Sequence, residues 1–307
     1  PGPLPVDVGG MTFTDNPNSA PSAMLFPPLS FIAGTGYGVV LPDGFRLSAE
    51  LDQIALFNSA GGLQDSVVYG VQTEDYSQGI GAGGGGYEQF RLPTPGLGVP
   101  EIGSPEEAAY NSAVSIFDSL RITEIMFNPP GGSDFEYIEL RNIAGSPIDL
   151  AGTRFINGIG FTFPAMTLAP GEEVLVVGSL THFEARYGGG LNVAGQFTGN
   201  LSNGGEGLTL QLPEPYEAAV LRLSYDDAWV VAADGEGAAL QFIEPAQKVS
   251  AWRDGVGWIG SVYLGSPDGG SLVLDTYTAW ATREGVATEN EDPDFDDITN
   301  LVEYALG

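Results

Sequence analysis

Apolar and polar residues alternate in short runs along most of this chain. In Val220-Leu221-Arg222-Leu223-Ser224-Tyr225 the alternation puts Leu221, Leu223 and Tyr225 on one face of an extended strand. Glu136-Tyr137-Ile138-Glu139-Leu140 and Leu208-Thr209-Leu210-Gln211-Leu212 keep the same period. Gly, Pro, Asn and Ser separate the runs, as tight turns require. Many short strands with few helical periods predict an all-β chain, a sandwich or a barrel. Two stretches depart from this. Ser104-Pro105-Glu106-Glu107 combines a capping hydroxyl, a proline in the first turn and carboxylates at the positive helix end. It predicts a short helix through about Ser112. Thr181-His182-Phe183-Glu184 predicts a second short helix after a strand.

The runs recur in order. Pro5-Val6-Asp7-Val8-Gly9-Gly10-Met11 matches Pro147-Ile148-Asp149-Leu150-Ala151-Gly152-Thr153, and Phe26-Pro27 matches Phe163-Pro164. Ile32-Ala33 followed by Tyr37-Gly38-Val39-Val40 matches Leu168-Ala169 followed by Val174-Leu175-Val176-Val177. Leu47-Ser48, Asp52, Ile54 and Leu56 match Leu201-Ser202, Glu206, Leu208 and Leu210 at identical spacing, and Tyr69 matches Tyr225. Thr94-Pro95-Gly96 and Ser266-Pro267-Asp268-Gly269 close the two copies. A repeat sets the architecture. It predicts two tandem sandwiches, residues 1–96 and 120–270, joined by a linker at 97–119 whose helix acts as a semi-rigid spacer, and followed by a tail at 271–307. The second copy opens with two strand-like runs, 120–127 and 135–141, that have no counterpart in the first. The first copy is therefore expected to lack two opening strands, supplied by a longer polypeptide or by another chain.

The second copy resembles a bacterial lamin-tail-like domain, an immunoglobulin-type β-sandwich. The residues that carry the resemblance are Ile122-Thr123-Glu124-Ile125-Met126-Phe127-Asn128-Pro129-Pro130 and Glu136-Tyr137-Ile138-Glu139-Leu140-Arg141-Asn142. Asp149-Leu150-Ala151-Gly152, Phe163-Pro164 and Leu201-Ser202-Asn203-Gly204-Gly205-Glu206 complete it. From Val6 to Gly96 the first copy resembles the same family without its first two blocks. The resemblance implies a sandwich used as a spacer or binding module in large secreted proteins. Such a fold does not by itself set a function.

Charge narrows the partners. Forty acidic residues stand against ten basic ones, Lys248 is the only lysine, and the formal charge is −30. Phosphate binding needs a basic surface, so nucleic acid is excluded, as are anionic membrane surfaces. The acidity suits simple solvation of the surface or, equally, solubility in salt or attraction of cations such as calcium. Without cysteine there are no disulfides or thiolate metal sites. No apolar run approaches the roughly 18 residues needed to span a bilayer. A start at Pro1-Gly2-Pro3 leaves room for a signal peptide upstream, and both ends are expected to be internal to a longer polypeptide.

The tail carries a metal-ligand pattern. With Asp292 as position 1 of a loop, Asp294, Asp296 and Glu303 fall at positions 3, 5 and 12, Ile298 offers a backbone carbonyl at 7, and Asn300 sits at 9. This is the oxygen spacing of an EF-hand calcium loop. Position 6 is Asp297 where glycine is usual; aspartate adopts left-handed backbone better than most residues. The tail resembles dockerin-like or thrombospondin-type-3-like calcium modules. Residues 275–284, with Tyr277, Trp280 and Ala281, form the helix expected before the loop, and Leu301, Val302 and Ala305 lie in the one expected after it. An acidic helix cap without metal is the competing reading.

Catalytic candidates are weak. Gly79-Ile80-Gly81-Ala82-Gly83-Gly84 matches a dinucleotide glycine pattern, but strand-like Tyr87-Glu88-Gln89-Phe90 follows it, so a hairpin loop is expected. His182, the single histidine, has no nucleophile elbow beside it. Glu136 and Glu139 are three apart and point to opposite faces of one strand, which suits ladder or turn roles better than acid–base work on sugars. Asp226-Asp227 suits loop or cation contacts. Trp229, Trp252, Trp258 and Trp280 offer rings for sugars or, more simply, cover for a sandwich end; Asn200-Leu201-Ser202 is a sequon. The reading that follows is a non-enzymatic, extracellular structural or adhesive protein of the cell surface or a filament. Its partners are copies of itself or flanking parts of the same polypeptide. Two other classes stay open, a carbohydrate-binding module and a non-catalytic part of a large secreted enzyme.

Overall fold

A computed structural model describes residues 2–19, 23–73, 76–81, 86–243, 245 and 255–267. Asp292, Asp294, Asp296, Ile298, Asn300, Glu303, Trp252, Trp280 and the rest of the expected tail lie outside the described residues. The chain divides into two compact units, Pro1–Val114 with Glu214–Ala218, and Ser115–Pro213 with Ala219–Gly307. Both are built of β-sheet, and the all-β sandwich expected from the alternation is the fold.

In the first unit β1 (Val6–Asp7) pairs with β4 (Phe31–Ile32). A second sheet runs β3 (Met24–Leu25), β2 (Thr12–Thr14), β5 (Asp52–Phe57), β6 (Leu63–Tyr69). β7 (Ser77–Ile80) and β8 (Tyr87–Phe90) form an antiparallel hairpin, so strand and not helix follows the glycine run. Helix α1 spans Pro105–Ser119. It starts where its cap predicts: the Ser104 hydroxyl accepts from Glu107 N at 3.2 Å, and the Glu107 carboxylate accepts from Gly103 N.

α1 runs on well past Ser112. Its last turns are apolar, with Ile116 and Phe117 buried. Arg121 then closes the negative end, donating to the carbonyls of Phe117 (3.2 Å), Asp118 (2.9 Å) and Leu120 (2.9 Å). Arg121 is 6% exposed. Its replacement by methionine keeps the stem but leaves these carbonyls short of donors. The expected cost is about 2 kcal/mol, read as a lower urea midpoint for the second unit; an unchanged midpoint would refute this capping role.

The second unit faces two sheets together. One sheet runs β16 (Val193–Gln196), β15 (Glu173–Val177), β10 (Tyr137–Asn142), β9 (Leu120–Met126), β19 (Leu240–Phe242), β20 (Trp258–Gly260). The other runs β13 (Phe161–Thr162), β12 (Arg154–Asn157), β17 (Glu206–Gln211), β18 (Ala219–Tyr225), and β11 (Ile148–Asp149) pairs with β14 (Thr167–Leu168). In β18 Leu221, Leu223 and Tyr225 are buried while Arg222 and Ser224 are exposed, as the two-residue period requires.

All seven residues of β9 are buried, because its sheet is covered on both faces. Ile125, Ile138 and Val176 share one face by register and look into the sandwich core. Met126, Tyr137 and Val177 share the other and pack with Phe183 of helix α2 (Leu180–Tyr187) in a second apolar cluster.

Candidate functional site

The two units repeat their turn chemistry bond for bond. Asp7 Oδ1 accepts from Gly9 N at 2.8 Å, and Asp149 Oδ1 from Ala151 N at 3.0 Å. Gly10 and Gly152 both adopt left-handed backbone, with φ of 78° and 75°, which lets the chain turn without a Cβ penalty. Each then donates to the carbonyl of the matched phenylalanine, Phe26 or Phe163, at 3.0 Å. Asp52 accepts from Ser48 N at 2.8 Å, as Glu206 does from Ser202 N. Asp52 lies opposite Tyr69 across β5 and β6, as Glu206 lies opposite Tyr225 across β17 and β18.

Burial separates the units. Among the described residues, the buried apolar side chains of the first unit are Val8, Ala55, Leu92 and Ala113. Its exposed apolar residues include Leu25, Phe31, Tyr37, Val39, Leu41, Leu47 and Val68. The expected strand at residues 37–40 does not form. Its counterpart in the second unit, β15, takes its backbone bonds from β10 and β16. Among the described residues no strand of either kind lies beside residues 37–40, and a lone extended segment cannot satisfy its own backbone. The β7–β8 hairpin likewise stands as a two-stranded sheet, whereas the β19–β20 hairpin continues through β19 into β9. The first unit thus has an apolar sheet face without the two central strands that cover the second.

The polar residues of the second unit's opening blocks are engaged inside the fold. Glu136, just before β10, accepts from Leu201 N at 2.8 Å. Glu139 accepts from the Thr123 hydroxyl at 2.5 Å. Asn142 donates to the carbonyls of Ser146, Leu168 and Ala169 and accepts from Ala144 N. Glu124 lies in the middle of the buried strand β9, and its partners are far away in sequence. Its carboxylate accepts from Ser266 N at 2.9 Å and from the Ser266 hydroxyl at 3.1 Å. Glu124 and Glu139 lie directly opposite in register. Burial first and the neighbouring Glu139 second push Glu124 up to about 7, against the donors of Ser266. Burial also raises Glu136 to about 7, with Leu201 N opposing. The one sign available in sequence was a glutamate inside the apolar run Ile122-Thr123-Glu124-Ile125.

His182 does meet a serine and an aspartate. Ser179 Oγ lies 2.9 Å and Asp134 Oδ2 3.8 Å from the histidine, but both face the same ring nitrogen, Nδ1. A proton relay needs the hydroxyl and the carboxylate on different nitrogens. The arrangement instead ties the start of α2 to the 3-10 turn Ser133–Phe135, whose Phe135 ring stands edge-on to the imidazole. Asp226 caps a 3-10 turn by accepting from Ala228 N at 2.9 Å. Trp258 is 4% exposed, and packs against Phe242 and Trp229. The described tryptophans thus pack on one another at the edge strand β20.

Comparison with curated proteins and with solved structures gives no match. The family model of the Lamin Tail Domain, an immunoglobulin-like fold, matches residues 115–227, which start in the last turns of α1 and end just past β18.

Proposed function

We propose that this chain is a non-enzymatic structural or adhesive module of a secreted or cell-surface assembly. Its first unit completes its sandwich with two strands that it takes from elsewhere. The carrying observation is the uncovered sheet face of the first unit, set against the covered sheet of the second. Large apolar surface left in water marks an interaction site. Strand addition satisfies it well, since main-chain hydrogen bonds give affinity and alternate side chains give register. The formal charge of −30 suits a saline, cation-rich setting. Within this proposal the tail residues Asp292, Asp294, Asp296, Ile298, Asn300 and Glu303 hold Ca2+. Titration calorimetry is expected to give binding heat with the wild type and none with Glu303→Gln; a wild type without heat removes the metal.

Hydrogen exchange tests the strand addition. In the isolated chain the amides of residues 37–40 and 77–80 are expected to exchange almost freely on their exposed sides, and to gain protection in the assembly recovered from the cell surface. Strong protection at residues 37–40 in the isolated monomer would sink the proposal.

A further inference from the structure

The second unit shows what its opening strands place against the opposite sheet. Phe127, directly after β9 and fully buried, stacks on Tyr225 with ring centroids 5.1 Å apart. The Tyr225 hydroxyl donates to Ser202 O at 2.8 Å and to Glu206 at 3.2 Å, which holds the ring in place. Next to it Glu136 takes Leu201 N. In the first unit the matched residues are Tyr69, Ser48, Asp52 and Leu47. There Leu47, Ser48 and Tyr69 border a cleft of about 440 Å³ whose lining also includes Ile54, Val67, Gln78 and Tyr87. Tyr69 lies across the strand pair from Asp52, just as Tyr225 does from Glu206. The strand register and the Ser48–Asp52 turn of the seat are in place, the Tyr69 hydroxyl is buried without a hydrogen-bond partner, and among the described residues the ring that fills the seat in the second unit has no counterpart in the first.

We infer that the cleft beside Tyr69 seats an aromatic side chain at the end of the first strand of a neutral or basic β-hairpin from outside residues 1–307, and that a carboxylate opening the hairpin's second strand meets Leu47 N. This rests on the strand-acceptor reading and specifies its partner. A second copy of this chain is a poor donor. Its one segment of the right pattern, residues 120–142, is already committed: β9 is buried throughout and Phe127 already sits on Tyr225. Withdrawing it would open one sandwich to close another. Charge points the same way. In residues 1–114 the only basic side chains are Arg46 and Arg91 against a several-fold excess of carboxylates, so a neutral or basic donor is favoured over a segment as acidic as this chain.

The probe is a fluorescein-labelled synthetic peptide of residues 120–142 carrying E124Q and E139Q, which brings its formal charge to about zero. It is titrated into the whole chain and followed by anisotropy. Saturable binding is expected. A Phe127→Ala peptide is expected to bind about tenfold more weakly, the scale of one buried aromatic contact. Tyr69→Ala in the chain should weaken the parent peptide similarly and abolish the difference between the two peptides, while Tyr69→Phe, which keeps the ring, should bind normally. Failure of the parent peptide to bind overturns the strand-acceptor reading itself. Equal binding of the two peptides to the wild-type chain overturns the aromatic seat and leaves strand acceptance standing. A Phe127 effect that survives Tyr69→Ala places the peptide elsewhere and also overturns the seat.

Discussion

Replacing Phe127 by alanine is expected to lower the melting temperature of the second unit by about 10 °C. The side chain is fully buried at the junction of the two sheets and contacts Tyr225 face to tilted face at 5.1 Å. Truncating a buried phenylalanine costs roughly 3–5 kcal/mol, the sum of lost transfer energy and an unfilled cavity. In a unit of this size each kcal/mol moves the midpoint by about 2–4 °C. Closure of the void is opposed by Tyr225, whose hydroxyl is held by Ser202 and Glu206. Scanning calorimetry reads the result, and a shift below about 2 °C would mean that the ring does not hold the sheets together. The same substitution leaves a cleft in the second unit like the one beside Tyr69, so it also reports what filling that first cleft is worth.

The second large effect is a dependence on pH that runs opposite to ordinary acid denaturation. Glu124 and Glu136 have ordinary values near 4.5 in the unfolded chain and are raised to about 7 in the fold. A carboxyl raised on folding binds its proton more tightly in the native state, so folding takes up protons between about pH 4.5 and 7. Stability therefore falls as pH rises through that window and levels off above it. For Glu124, fully buried across from Glu139, the loss is at most roughly 3 kcal/mol. Glu136 acts in the same direction, opposed by its bond from Leu201 N. The melting temperature of the second unit should be higher at pH 5 than at pH 8. Glu124→Gln keeps an oxygen to accept from Ser266 N and removes the ionisation. It should flatten the profile and melt above the wild type at pH 8. The chain's general negative charge also disfavours high pH, but it is nearly common to both proteins and cancels in the comparison. A variant whose profile parallels the wild type would refute the assignment to Glu124.

The lamin-tail signature was legible because its parts are local. The Asp-x-Ala-Gly turn and the alternation in β18 each depend on residues a few positions apart, as do, outside the matched residues, the Asp-x-Gly-Gly turn and the helix cap at Ser104. The hairpin after the glycine run was legible for the same reason. What the signature residues do was not. Glu136 reaches Leu201 and Glu124 reaches Ser266 across long sequence separations, and no spacing rule foretells such pairs. α1 overran its expected end because burial of Ile116 and Phe117 and the Arg121 cap act through packing rather than helix propensity. The His182 cluster gained a serine and an aspartate in three dimensions, yet the choice of one ring nitrogen for both removed the chemistry that the residue types suggest.

By itself the sequence determined that the chain is β-rich and that one order of strand and turn motifs recurs along it. Those properties follow from side-chain period and turn chemistry, which act within a strand or between its neighbours. Only the tertiary structure decided which of those strands find partners. A strand such as residues 37–40 has the composition of β15 and still does not form, because a sheet's backbone bonds come from partners distant in sequence. The place of Tyr69 at the edge of an unfilled cleft is likewise a property of the sheets that meet there, and no run of residues in this chain encodes it alone.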